Sequence, residues 1–139
     1  MIVLDTNVIS ELSRADGNRL VFAWAEKQVE TEMFLCAPVV AELEFGARLF
    51  QLRTGSPKHL KILESLLSRA YDGRILPMTL QSSRLAGHFK AIRETTGRPV
   101  SSADMYIAGI TATNFATLAT RNVRDFQGLE LKLVNPFEI

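Results

Sequence analysis

Long hydrophobic runs, cysteine pairs and histidine clusters are missing from this sequence, and each absence closes off a class of protein. No apolar stretch approaches the roughly 20 residues that a membrane-spanning helix needs, so no membrane association is expected. Cys36 is the only cysteine, which leaves no partner for an internal disulfide and suits a reducing compartment. The N-terminus lacks the basic region, apolar stretch and small-residue cleavage site of a secretion signal. A cytoplasmic protein is the expectation. The two histidines, His59 and His88, lie on charged helical stretches without Cys or His at ligand spacing, and read as surface residues. No glycine-rich phosphate loop of the P-loop or dinucleotide type occurs. An excess of positive charge is missing too. Sixteen Lys and Arg stand against fifteen Asp and Glu, a net charge of +1, so any footprint for nucleic acid must be local.

What is present is a globular composition: 139 residues, 47% apolar and 22% charged. That is enough chain for a substantial core and implies a single domain over residues 1–139. Short apolar strands are expected at residues 1–4, 33–36, 75–76, 117–119 and 131–134. Helical patterns fill 7–13, 19–30, 38–52, 57–71, 80–96 and, from a cap at Ser102, the stretch to 115. No repeat or low-complexity tract interrupts them. Strands alternating with helices predict an α/β fold, with a central, mostly parallel β-sheet flanked by helices.

The acids carry the chemistry. Asp5 follows the first strand directly, and in open α/β proteins the ligand site lies beyond the carboxyl ends of the strands. Taken alone, a simple helix cap is the better explanation. Glu42 falls on the shoulder of the apolar side of its helix, between Gly46 and Leu49, whereas Glu44 and Arg48 form an i,i+4 surface pair on the opposite face. A buried carboxylate at Glu42 would require an arginine or a metal ion. Asp104 is the only charged side chain between Arg98 and Arg121. A helix so free of charge should pack deep against the sheet. A capping role from Ser101 or Ser102 accounts for how Asp104 is held, but not for a charge being there. Thr120, Asn122 and Asp125 gather beyond the strand at 117–119. Clustered carboxylates repel one another unless a cation sits among them, and oxygen-only donors suit Mg²⁺ or Mn²⁺. Such a centre is matched to hydrolysis of phosphodiesters. Neutralising one acid, as in Asp5→Asn, is expected to raise the melting temperature of the metal-free protein.

Four segments, in order and spacing, carry a family resemblance over essentially the whole chain: LDTNVISEL, VAELEFGA, SSADMYIAGIT and LATRNVRDF, with VNPF at the end. The chain resembles the PIN-domain ribonucleases, in particular the VapC toxins of toxin–antitoxin pairs and their FitB-like branch. The resemblance implies a PIN fold and a metal-dependent endoribonuclease acting through an acidic Mg²⁺ or Mn²⁺ site. It also implies an RNA substrate, a cognate antitoxin whose C-terminal segment wraps the toxin, operator DNA reached only through that antitoxin, and a homodimer. Asp5, Glu42 and Asp104 match the family's acidic positions. The fourth departs from it, because Asn122 stands where some relatives carry aspartate, and Asp125 three residues on is taken as the substitute. The catalytic set is therefore Asp5, Glu42, Asp104 and Asp125, with metal held by Asp5, Asp104 and Asp125. Asn7, Thr120, Arg121, Asn122 and Arg124 are expected to meet substrate. The alternative is a weakly active or silent PIN domain that serves with a DNA-binding antitoxin as a repressor. A phosphatase of the haloacid-dehalogenase type would need an acid two residues after Asp5, and Asn7 stands there instead.

Overall fold

Three apolar residues, Ile2–Leu4 (β1), form the middle of the sheet, with Val3 and Leu4 fully buried. A strand this apolar must be covered on both faces, and the following elements provide the cover. Thr6–Leu12 (α1) and Arg19–Glu26 (α2) lead to Met33–Cys36 (β2), then Ala37–Thr54 (α3) and Lys58–Ser65 (α4). Ile75–Leu76 (β3), Leu80–Thr95 (α5), Ser102–Thr113 (α6), Thr117–Ala119 (β4), Val123–Phe126 (α7) and Lys132–Val134 (β5) complete the chain. The computed structural model describes residues 1–138. The strand order is β3-β2-β1-β4-β5, and every pairing is parallel, with Val3 opposite Phe34 on one side and Leu118 on the other. The expected α/β architecture is therefore present. The chain winds from β1 outward through β2 to β3, then returns to lay β4 and β5 on the other side. The winding reverses between β1 and β4, and ligands bind at the carboxyl ends of strands at such a reversal.

α6 is the helix buried most deeply against this sheet, with Met105, Ile107, Ala108, Gly109, Ile110 and Thr111 all shielded from water. Its approach to α5 depends on Gly109. A Cβ there would stand 2.3 Å from the Ser82 carbonyl oxygen, inside any tolerable contact. α5 opens with a reciprocal cap in which the Thr79 and Ser82 side chains satisfy each other's backbone N–H. Among the described residues no helix is long and apolar enough to cross a membrane.

Local differences from the sequence expectation have identifiable causes. α2 stops at Glu26 rather than reaching residue 30, because its inward positions run out and Val29 lies 64% exposed before a tight turn at Glu30–Glu32. The helix expected over 57–71 widens into a π-turn at Leu66–Ala70, closed by the Tyr71 N–H on the Leu66 carbonyl at 2.8 Å. Ser101, not Ser102, caps α6, accepting the Asp104 N–H at 3.2 Å; Ser102 Oγ instead accepts from Lys90 Nζ. The loop after β4 contains a short helix, α7, anchored by the fully buried Phe126.

Candidate active site

Asp5 leaves β1 with its N–H on the Ala119 carbonyl of β4, at 2.9 Å, so the backbone itself fixes it at the reversal point. The residue is 4% exposed. One carboxylate oxygen accepts the Thr6 N–H at 2.8 Å; the other accepts the Thr120 hydroxyl at 2.6 Å and Asn7 Nδ2 at 3.3 Å. Thr120 Oγ1 in turn accepts the Asn122 N–H, and Asn7 Oδ1 accepts the Arg121 N–H. Asp5 thus caps α1 and also joins it to the loop after β4. Burial raises its pKa against the lowering effect of these three donors, and the charge of Asp125 pushes the same way as burial.

The other acids come to this point from three separate elements. Asp104, in the first turn of α6, is partly buried; desolvation raises its pKa first, then the charge of Asp5, with a smaller contribution from Asp125. Glu42, from α3, is raised by desolvation and then by Asp5 and Asp104. Asp5 therefore senses the charge of Asp125, Asp104 those of Asp5 and Asp125, and Glu42 those of Asp5 and Asp104.

Glu42 corrects one expectation. It is exposed rather than buried, because α3 buries only Val39 and Ala47 and leaves Gly46 and Phe45 facing outward. Desolvation and exposure coexist because Glu42 stands at a rim, open to solvent on one side and shielded by protein on the other. The Thr6 hydroxyl is close enough to favour the charged form of Glu42 but makes no well-formed hydrogen bond, and its Oγ1 is buried without a partner. The expected Glu44–Arg48 pair is present at 2.9 Å. His59 is a second correction. It is half-buried, its ring meeting Phe50 edge-on at 4.3 Å, because α4 packs along α3 there. His88 is exposed, as expected. Burial pushes the Cys36 thiol up to about 12, which leaves it a core residue and no nucleophile.

The polar residues after β4 divide. Thr120 is buried in the Asp5 network, and Asn122 begins α7 exposed, its side chain making no cap. Arg121 is exposed and lies over the Phe137 ring at 4.8 Å; Arg124 is exposed as well. Among the described residues neither arginine forms an ion pair with Asp125. Arg121 also feels the charge of Glu11.

Among the described residues no three His, Cys, Asp or Glu side chains already form a group that could hold a metal ion. The donor set still fits a divalent cation in kind. All four acids offer oxygen, their charges repel, and the orphaned Thr6 Oγ1 beside Glu42 is a buried polar atom awaiting a partner. Two residues with a bearing on the site escaped the sequence reading. Thr6 is one. Arg93 is the other, a 4% exposed cation on α5 that binds the backbone of the α7 segment. Its spacing with Ser82, Ala86 and Phe89, all buried on one face, was the available signal.

A buried aspartate at the sheet reversal, with further acids on the neighbouring helices α3, α6 and α7, defines an α/β domain with an acidic candidate site. The PIN domain family matches residues 2–129, and the chain belongs to that family. It is 38% identical to the VapC ribonuclease Y4jK of Sinorhizobium fredii, over 99% of each chain. It is 34% identical to the toxin FitB of Neisseria gonorrhoeae, again over 99% of each. Among solved structures it superimposes on a chain of FitAB bound to an IR36 DNA fragment with a TM-score of 0.88 and 30% identity, covering 100% of this chain and 97% of that one.

Proposed function

We propose that this protein is a metal-dependent endoribonuclease, the toxin of a toxin–antitoxin pair, working through Asp5, Glu42, Asp104 and Asp125. The observation that carries the reading is a buried Asp5 held at the sheet reversal by Thr6, Asn7 and Thr120, with further acids supplied by α3, α6 and α7. Kinship with a VapC ribonuclease supports the nuclease chemistry, and kinship with the toxin FitB supports the toxin role. Asp5, Asp104 and Asp125 would hold Mg²⁺ or Mn²⁺, hard cations suited to carboxylate oxygen. When bound, the ion supplies Lewis acidity at the phosphodiester and offsets the charge that develops there.

The chain's own residues do the rest. Thr120 and Asn7 fix the Asp5 carboxylate so that it presents one geometry. Glu42 lies outside the metal set, faces solvent and has a raised pKa, a combination suited to proton transfer. It takes a proton from the attacking water, and that proton is returned to the leaving oxygen. Arg121 and Arg124 meet the RNA phosphates, supplying the local basic footprint that a net charge of +1 otherwise denies. Asn122 lies beside them and offers a neutral contact.

A cognate antitoxin is the expected protein partner. A groove of about 390 Å³ between α1, α3 and α4, lined by Leu43, Ala47, Phe50, Ile62 and Leu66, runs to Glu42. An antitoxin segment seated there would bring an arginine or lysine to the acids, and paired hydrogen bonds from a guanidinium would block metal. Operator DNA is reached through that antitoxin, as the DNA-bound FitAB relative suggests, and the protein acts as a homodimer in the cytoplasm. A silent domain serving only as co-repressor is the second reading. It is favoured by the DNA in that related complex and by Asn122, where an acid is missing. The deciding experiment incubates purified protein with total RNA in Mg²⁺, Mn²⁺ or EDTA. Cleavage with metal and none with EDTA supports the nuclease. Intact RNA in all three supports the co-repressor.

A further inference from the structure

Arg93 is a buried cation without a buried anion. It is 4% exposed, and among the described residues no carboxylate pairs with it. Its Nη1 donates to the Gln127 carbonyl at 2.8 Å and its Nη2 to the Arg124 carbonyl at 2.7 Å, while Nε is buried with no acceptor. Desolvating a guanidinium is costly when only carbonyls repay it. A purely structural tie between α5 and α7 could be made more cheaply by an apolar contact.

The position of the two carbonyls explains the choice. They bracket Asp125, one belonging to the residue before it and the other to the residue two beyond. α7 is a single turn, too short to hold itself rigid, and Asp125's own N–H reaches only the Asn122 carbonyl, at 3.0 Å. We propose that Arg93 is the positioning residue for Asp125: a two-pronged clamp on the α7 backbone that sets where this carboxylate meets Asp5 and Asp104. The clamp explains how an acid displaced three residues from Asn122 can serve. The inference rests on the reading of Asp125 as a metal-site acid.

The test is a double-mutant cycle read by Mn²⁺ affinity in calorimetry, independent of RNA cleavage. It compares wild type, Asp125→Asn, Arg93→Gln and the double variant. Arg93→Gln should weaken Mn²⁺ binding about 10-fold, in the range seen when groups supporting a metal ligand are removed. Arg93→Lys, which keeps the charge and one prong, should recover part of the loss. In the Asp125→Asn background, Arg93→Gln should add nothing. If Arg93→Gln does not fold, Arg93→Lys carries the same cycle. The proposal is overturned if the Arg93 and Asp125 losses simply add, since the effect would then be a general loosening. It is also overturned if Asp125→Asn weakens binding and the Arg93 variants do not. Full Mn²⁺ affinity in Asp125→Asn itself would instead remove Asp125 from the site, and the clamp's purpose with it.

Discussion

Asp5 and Glu42, both assigned to the proposed acidic site, are held in opposite ways. Asp5 is shut from solvent and its two oxygens accept three hydrogen bonds. Glu42 is exposed on a helix that buries little, and the one hydroxyl beside it makes no proper bond. The first is a fixed point around which a site can be built. The second is a group free to exchange protons with water or to swing toward a ligand. The contrast separates two requirements of hydrolysis, a rigid electrostatic frame and a mobile proton carrier.

The comparison breaks most visibly at Asp5. Asp5→Asn should abolish RNA cleavage and also destabilise the fold by about 1–3 kcal/mol, because the new amide NH₂ confronts Thr120 and Asn7, leaving buried donors unpaired. This reverses the sequence expectation that neutralising Asp5 would stabilise the metal-free protein. Urea titration in EDTA measures it. Glu42→Gln sharpens the contrast from the other side. Activity should fall about 10²–10⁴-fold, the usual value of a general acid–base, while stability stays within about 0.5 kcal/mol as for other exposed sites. A Glu42→Gln variant that unfolds as easily as Asp5→Asn would refute the division of roles. The smallest effects belong to the rim. Arg121→Ala and Arg124→Ala should each weaken RNA binding modestly at every sequence and lower the salt slope by about 1. Unchanged slopes in filter-binding or anisotropy titrations would take both arginines off the RNA path.

Much of the fold and part of the candidate site were legible from residue order alone. β1 ending on Asp5, the uncharged α6 around Asp104 and the alternation of strands and helices are local patterns, and local patterns survive folding. What was not legible depends on partners distant in sequence. Thr120 reaches Asp5 across 115 positions. The exposure of Glu42 follows from how far α3 stands from the sheet, which periodicity on one helix does not report. The acceptors of Arg93 give no sign in the sequence because they are backbone carbonyls, which every residue has. α7 was hidden because four residues are too few to show a period.

The central claim is that acids from separate elements are forced together and await a cation, and Asp104 tests it most directly. Unlike Asp5, its carboxylate is favoured by a single hydroxyl, that of Ser101, which also accepts its backbone N–H at 3.2 Å, and the side-chain oxygen of Asn can face the same hydroxyl. Burial and Asp5 raise its pKa. The folded chain therefore binds more protons than the unfolded one between the ordinary carboxylate range and the raised value. Stability from this group must fall as pH rises through that window and stay lowered above it. The measurement is the unfolding free energy of wild type and Asp104→Asn, in EDTA and in Mn²⁺, from about pH 4 to pH 8, bracketing the usual carboxylate pKa. In EDTA the mutant should gain on wild type as pH rises, by about 1 kcal/mol at neutral pH, the size of a typical single-residue effect. Mn²⁺ should then stabilise wild type more than the mutant, since a ligand for the native state acts by mass action. Parallel pH curves with equal Mn²⁺ increments would contradict the account, leaving Asp104 a helix-end charge with no part in a metal centre.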